Sequence, residues 1–394
     1  MKFLMYGAGN IGRGFIGSIF TSAGYQVSFI DINRELVDRF NENGQYTVQI
    51  AADPPYNFMV HGVDAIDGKD KERVIDAIAH CDIMATSLGA GVLPHVAALI
   101  AAGFTRRIKE NRGSLDILIC ENLKDAAHYL RKLIQEHLPV DLHGVMETRL
   151  GLVETAIGRM VPVLSAEEAK ADPLFVRVEE YDFLPVDRKA FRGTIPSVSQ
   201  IIPYDPFVYY EDRKLYLHNM SHCICAYLGM ITGQKYIWEA MENPEIRLIV
   251  QSAMNEAAAM LAVTYNVPFH ILQKHAEDLL LRFTNKALGD TCERVARDPA
   301  RKIAADDRLA APLRRCLSLN IEAVNIAAGL AAVLYQMDLT DDELKRTLTE
   351  VCCLSGHSVT CVETLYPFFK AKAPLSECIR QIDLLKKSLR GRFI

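Results

Sequence analysis

Lys214, Asn219 and His222 lie in the run Lys214-Leu215-Tyr216-Leu217-His218-Asn219-Met220-Ser221-His222, and they are the residue types that alcohol oxidation needs. A partly desolvated lysine loses proton affinity, so its neutral amine can take a hydroxyl proton while a hydride leaves the adjacent carbon. An asparagine amide can donate to the oxygen that turns anionic in the transition state, and a histidine can orient the same oxygen. On a helix Asn219 and His222 are three apart and share a face. Lys214 is harder to place, because eight residues of ideal helix separate it from His222 by about 12 Å of rise. It is expected at or before the first turn, reaching in with its long side chain. Lysine, asparagine and histidine also suit a solvated helix face, so spacing alone leaves both readings open.

A second constellation opens the chain. Directly after the apolar run Lys2-Phe3-Leu4-Met5-Tyr6 comes Gly7-Ala8-Gly9-Asn10-Ile11-Gly12-Arg13-Gly14, a Gly-x-Gly-x-x-Gly whose last glycine begins a helical pattern. In that context Gly7 permits the tight turn, Gly9 lets backbone approach a pyrophosphate, and Gly12 lets the helix pack close on the strand. The helix start, with Asn10 and Ile11, offers free N–H groups and a partial positive charge to phosphates. Asp31 follows at the end of the next strand pattern, about 20 residues beyond the last glycine, where a carboxylate accepts from an adenosine ribose. That carboxylate would repel a 2′-phosphate, so NAD is the expected cofactor, with Arg34 the one feature in favour of NADP. Ser87, after a further strand together with Thr86, Leu88 and Gly89, is expected to line the same site.

The elements that must position these residues follow from periodicity. Lys2–Tyr6, Gln26–Ile30, Ile83–Ser87 and Ile117–Cys120 read as strands, with Ile11–Ala23 and Glu35–Asn41 as helices between them. Such alternation predicts a parallel sheet with crossover helices. Val176 and Val178 alternate with Arg177 and Glu179, which reads as a half-exposed antiparallel strand over Phe175–Phe183. Pro185, Pro196, Pro203 and Pro206 then mark a junction, and everything beyond Lys214 has helical spacing, as in Ile246, Ile249, Ala253, Ala257 and Met260 behind the helix start Asn243-Pro244-Glu245. The expected architecture is α/β: a Rossmann-type dinucleotide-binding domain over residues 1–194, then a mainly α-helical substrate and catalytic domain over 195–394.

Composition narrows the partners. With 394 residues, half of them apolar and 24% charged, the chain should fold as two full cores. A net charge of -5 gives no general attraction to nucleic acid or to an anionic membrane, which leaves a small molecule as the expected partner. Apolar stretches such as Ile321–Tyr335 are broken by Glu322 and Asn325 and are too short to span a bilayer, and the immediate strand at Lys2 leaves no signal-peptide pattern, so a cytoplasmic protein is expected. The ten cysteines are scattered without a Cys-x-x-Cys, so they are expected to be free structural thiols and no metal site is expected.

Three segments together carry a resemblance: the opening MKFLMYGAGNIGRGFIG, the KLYLHNMSH run and the later RFTNKALGDTCERVARDPARK. They resemble the polyol-specific long-chain dehydrogenases, the mannitol dehydrogenase family, and the chain length suits its short branch, which interconverts D-mannitol 1-phosphate and D-fructose 6-phosphate. The resemblance implies that Lys214 is the general acid/base of a zinc-independent hydride transfer, that Asn219 and Asn122 form the oxyanion site, and that His222 assists. It also implies that Arg294 and Lys302 contact the substrate chain. Arg282, Arg297, Arg301 and Arg308 are all candidates for a phosphate, and the sequence does not rank them. One departure stands out: where relatives carry Asp-Ser-x-Val-Asp-Arg-Ile-x-Pro, this chain has Glu154-Thr155-Ala156-Ile157-Gly158-Arg159-Met160-Val161-Pro162, so Gly158 lacks a carboxylate. Another polyol or a hexuronate is therefore an alternative substrate, and an NAD-binding redox sensor without turnover is a third reading. A monomer or weak homodimer is expected.

Overall fold

The computed structural model describes residues 1–162 and 164–390. It divides into two compact units, Met1–Val208 and Tyr209–Ile394. The division falls beyond the expected junction at 194/195, because Ile201–Tyr204 pairs in parallel with Leu184–Asp187 and so remains with the first unit.

The first unit is built on six parallel strands: β1 (Lys2–Tyr6), β2 (Gln26–Asp31), β3 (Val63–Asp67), β4 (Ile83–Thr86), β5 (Leu115–Ile119) and β6 (Leu150–Glu154). Their spatial order is β3-β2-β1-β4-β5-β6, the doubly wound order of a dinucleotide-binding sheet, reversing direction between β1 and β4. A continuous apolar run forms β1 because both faces of the sheet are covered. Phe3 and Met5 enter one core with Phe15, Phe20 and Phe29, while Leu4 and Tyr6 enter the other with Ile100, Phe104 and Ile117. The helices α1 (Arg34–Asn43), α2 (Lys71–His80) and α3 (Leu93–Lys109) make crossovers, and α1 and α2 start on side-chain caps, Asn33 and Asp70.

A smaller three-stranded sheet pairs Gln45–Ile50 antiparallel with Tyr56–His61 and parallel with Val176–Val178. The alternation expected at Val176 and Val178 is present, with both valines buried, but the strand is short and parallel rather than antiparallel. Its partner strand was not visible in the periodicity, and an alternating pattern does not state direction.

In the second unit every named element is a helix. The helices α4 (Met220–Ile231), α5 (Pro244–Tyr265) and α6 (Val324–Gln336) pack against one another. Close approach needs Gly329, where a Cβ would stand 2.4 Å from Ile224. By length and composition α5 could cross a membrane, yet Ile246, Ile249, Val250, Ala253, Met254 and Ala257 are buried along it, as in the core helix of a globular unit. All ten cysteines are free, nine of them buried and Cys353 exposed.

Candidate active site

The glycine turn after β1 has the geometry its sequence requires. Gly7 has φ +106°, open to glycine but strained for other residues, and its N–H donates to the Ile30 carbonyl at 2.9 Å. A Cβ on Gly12 would lie 2.0 Å from the Gly7 carbonyl oxygen, so only glycine lets the helix start this near the strand. A Cβ on Gly9 would meet nothing within 4 Å; here the backbone itself faces open space, as approach of a pyrophosphate demands. Asn10 and Ile11 begin the helix, which runs as a π-helix over Gly12–Gly17 before continuing as Ser18–Ser22.

Asp31 ends β2 with its two oxygens already engaged: Oδ2 accepts from the Ala8 N–H at 2.9 Å and Oδ1 from the Asn33 N–H at 2.9 Å. The same carboxylate that would meet a ribose therefore also braces the glycine turn. Ser87 follows β4, with its N–H donating to the Tyr6 carbonyl at 2.9 Å. Beyond it the Glu121 carboxylate accepts from the N–H groups of Leu88 (2.9 Å) and Gly89 (2.8 Å) and fixes that loop. Asn122 is the next residue, exposed at the carboxyl end of β5, where parallel sheets place ligands. A glycine turn, a helix start and a strand-end carboxylate of this kind fit a dinucleotide.

In the second unit Lys214 does not stand at a helix start. A helix begins at Val208, and the chain passes without a break into a π-helix over Lys214–Asn219 and then into α4. The π-turn departs from the ideal helix on which the eight-residue spacing was judged, with i→i+5 in place of i→i+4 bonds over Lys214–Asn219. The Met220 N–H donates to the Leu215 carbonyl in that pattern.

Lys214 retains some solvent-facing surface but is packed densely enough for desolvation to lower its ammonium to about 8; Arg308 lowers it further and Glu211 opposes. A lysine in this state is poised to exchange a proton near neutrality. His218, one turn before His222, is buried and held well below the ordinary histidine value by desolvation and neighbouring cations, so it remains neutral.

His222 is placed by residues that sequence reasoning passed over. Its ring stacks on Phe283 with centroids 4.9 Å apart, and its Nε2 lies 3.0 Å from Asp290 Oδ2, in direct polar contact although not aligned as a hydrogen bond. The other oxygen of Asp290 takes the Arg294 guanidinium, through Nε at 2.7 Å and Nη2 at 2.6 Å. Burial would raise the Asp290 carboxyl, but His222 and Arg294 outweigh it and hold the group below its usual range. Asp290 is in turn pinned by its backbone, whose carbonyl accepts from the Ile237 N–H at 2.9 Å. A signal existed in the sequence: Asp290 sits four residues before Arg294, one helical turn away.

Lys302 ends the short helix Pro299–Lys302 and is almost wholly buried. Gly158, where a carboxylate was expected, faces Tyr181; a Cβ at Gly158 would stand 3.0 Å from the edge of its ring, so the tyrosine fills the space a longer side chain would need. The neighbouring Arg159 is buried, with Nε donating to the Glu179 carbonyl at 2.8 Å and Nη1 to the Gly14 carbonyl at 3.1 Å. Among the described residues no group of three or more His, Cys, Asp or Glu is arranged to hold a metal ion.

A doubly wound sheet with a glycine turn and a strand-end carboxylate, in one chain with a helical unit carrying a depressed lysine, is the make-up of an NAD-dependent oxidoreductase. The chain belongs to the mannitol dehydrogenase family: residues 1–200 match the model of the mannitol dehydrogenase Rossmann domain, and residues 207–349 that of the mannitol dehydrogenase C-terminal domain. It is 35% identical over 348 residues to a mannitol-1-phosphate 5-dehydrogenase of Brevibacillus brevis, covering 88% of this chain and 89% of that one. Two solved structures share the fold. A substrate-free D-sorbitol dehydrogenase superposes with a TM-score of 0.80 at 16% identity, covering 95% of each chain. A Pseudomonas fluorescens mannitol 2-dehydrogenase, in ternary complex with NAD and D-mannitol, gives 0.73 at 18% identity, covering 98% of this chain and 94% of that one.

Proposed function

We propose that the protein interconverts D-mannitol 1-phosphate and D-fructose 6-phosphate, with Lys214 as the general acid/base. The observation that carries the mechanism is Lys214 on a π-turn with Asn219, its ammonium lowered to about 8 by burial. The substrate rests on the relative named above, a mannitol-1-phosphate 5-dehydrogenase sharing 35% of its residues over most of both chains.

In oxidation the neutral amine of Lys214 accepts the proton of the secondary hydroxyl. Bound NAD supplies the hydride acceptor. The amides of Asn219 and Asn122 donate to the oxygen as its charge grows, and His222, held by Asp290, orients that oxygen. In reduction Lys214 returns the proton. Arg294 and Lys302 bind the rest of the sugar chain, and Ser87 lies against the cofactor. No step in this scheme uses a metal, so a chelator should leave turnover intact. A cytoplasmic enzyme, monomeric or weakly dimeric, with no nucleic-acid or membrane partner, completes the reading.

The test is direct. Protein mixed with fructose 6-phosphate and NADH should consume the NADH, and should do so far faster than with unphosphorylated fructose. Turnover of a plain ketose or a hexuronate, with fructose 6-phosphate inert, would overturn the substrate. That second reading is favoured by one observation: Tyr181 stands against Gly158 where the family pattern has a carboxylate, which changes the groups available to a substrate.

A further inference from the structure

Two cations in the second unit are more buried than proton and hydride transfer alone require. Lys302 is only 3% exposed, and its ammonium makes no hydrogen bond or ion pair with any described residue. The side chain of Arg308 is 13% exposed, and Asp307 takes its Nε at 2.8 Å, while its two Nη groups make no hydrogen bond among the described residues. Asp307 therefore fixes the plane of the guanidinium and leaves its outer edge open. The same carboxylate oxygen accepts the Arg308 N–H at 2.6 Å, so its capacity is divided between backbone and side chain.

These cations surround one place. Cys223, adjacent to His222 on α4, feels the charge of both Lys302 and Arg308, and Lys214 feels that of Arg308. Lys302 and Arg308 also repel each other. The carboxylates whose charge reaches these cations are themselves engaged: Asp307 is shared as described, Asp298 is held by Arg301 at 2.9 Å, and Glu211 acts on Lys214. Cations gathered in a partly buried place repel one another unless an anion joins them. An open guanidinium edge near a lysine ammonium is the pairing that suits a phosphate monoester, the first for bidentate bonds and the second as a point charge.

We propose that Lys302 and Arg308 form a phosphate subsite, by which the enzyme selects the phosphorylated form of its sugar. Arg308 thereby separates from the other candidates: Arg297 is exposed, Arg301 is committed to Asp298, and Arg282 contacts Asp278. The subsite rests on the reading of the protein as a polyol dehydrogenase and specifies which polyols it takes.

The experiment compares kcat/KM for fructose 6-phosphate and for fructose, with NADH, in the unmodified protein, in Arg308→Gln and in Arg308→Lys. Inorganic phosphate is added as a competitor in each case. Loss of one charge-assisted contact to a buried phosphate should lower the preference for the phosphorylated sugar about a hundredfold in Arg308→Gln, mostly through KM. Inhibition by inorganic phosphate should weaken in parallel, and Arg308→Lys should recover part of both. An unchanged preference together with unchanged phosphate inhibition in a folded Arg308→Gln overturns the subsite. Should that variant not fold, Arg308→Lys decides, since unaltered phosphate inhibition there would equally overturn it. If the unmodified protein ignores fructose 6-phosphate and turns over another sugar, the substrate reading fails separately. Phosphate inhibition against that sugar, lost or kept in Arg308→Gln, then decides the subsite by itself.

Discussion

Lys214 makes the sharpest demand at the scale of single residues. Its ammonium titrates at about 8 through burial and the repulsion of Arg308, and polyol oxidation needs the neutral amine. Below that pH the lysine is protonated, so kcat/KM for oxidation should rise about tenfold per pH unit and level off above about 8, whereas ketose reduction should fall over the same range. Lys214→Ala should lose about a thousandfold in kcat/KM while still binding NAD. Persisting NAD-coupled turnover in that variant would remove the lysine from the mechanism. Asp290 yields a second prediction. Its carboxylate holds both His222 and Arg294, so Asp290→Asn should cut kcat about tenfold or more and shift the pH profile. A variant that merely loosened the fold would lower thermal stability with the profile in place. The proposed site was legible as a motif because lysine, asparagine and histidine stand within nine positions of one another. Asp290 could be reached only through Arg294, four residues on, because its other partner, His222, lies far away in sequence on α4.

Among the elements, the π-turn explains why Lys214 was expected at or before the first turn: ideal spacing assumes i→i+4 bonds, and the chain departs from them over Lys214–Asn219 inside a continuous helical run. The start of β5 was missed for a related reason. Asp116 interrupts the apolar pattern, yet its buried carboxylate accepts from the N–H groups of Arg192 (2.7 Å) and Gly193 (2.9 Å), contacts that no local window contains. In the same way Gly151 inside β6 hides a strand, although a Cβ there would collide with Asp116. A buried carboxylate also governs the helical core. Glu256 on α5 accepts from the backbone N–H groups of Asn325 and Ile326, both at 3.0 Å, and so caps α6 from a neighbouring helix. Burial dominates those bonds and lifts its pKa to about 7. The folded protein thus keeps a proton that the unfolded chain releases near 4.5. That part of the stability is present in full below about 4.5 and is lost as pH rises through 7, about 3 kcal/mol at most. Denaturant midpoints of the unmodified protein should fall over this window relative to Glu256→Gln; parallel curves would show that Glu256 does not carry the effect.

For the molecule as a whole, the order of the chain was readable and its partnerships were not. Alternating strands and helices gave way to helices alone, though after Val208 rather than after 194, because burial on both faces of a sheet and on one stripe of a helix writes distinct periods into the sequence. Pairing between Gln45–Ile50 and Val176–Val178 spans too much chain for any such period to reveal. The same long-range logic links the cofactor to stability. Asp31 joins β2 to the glycine turn through Ala8, so a ribose bound there tightens a turn that is already part of the core sheet. Binding to the folded state alone should stabilise the protein by about 2.7 kcal/mol at a hundredfold excess over Kd. NADP at the same concentration should give far less, since its 2′-phosphate would face the Asp31 carboxylate, and Arg34, exposed and paired with Asp38 at 3.6 Å, is turned to its own helix. Thermal unfolding with each nucleotide measures this difference. Equal stabilisation by both would mean that Asp31 does not choose the cofactor, while Asp31→Ser should narrow the gap by weakening NAD and admitting NADP.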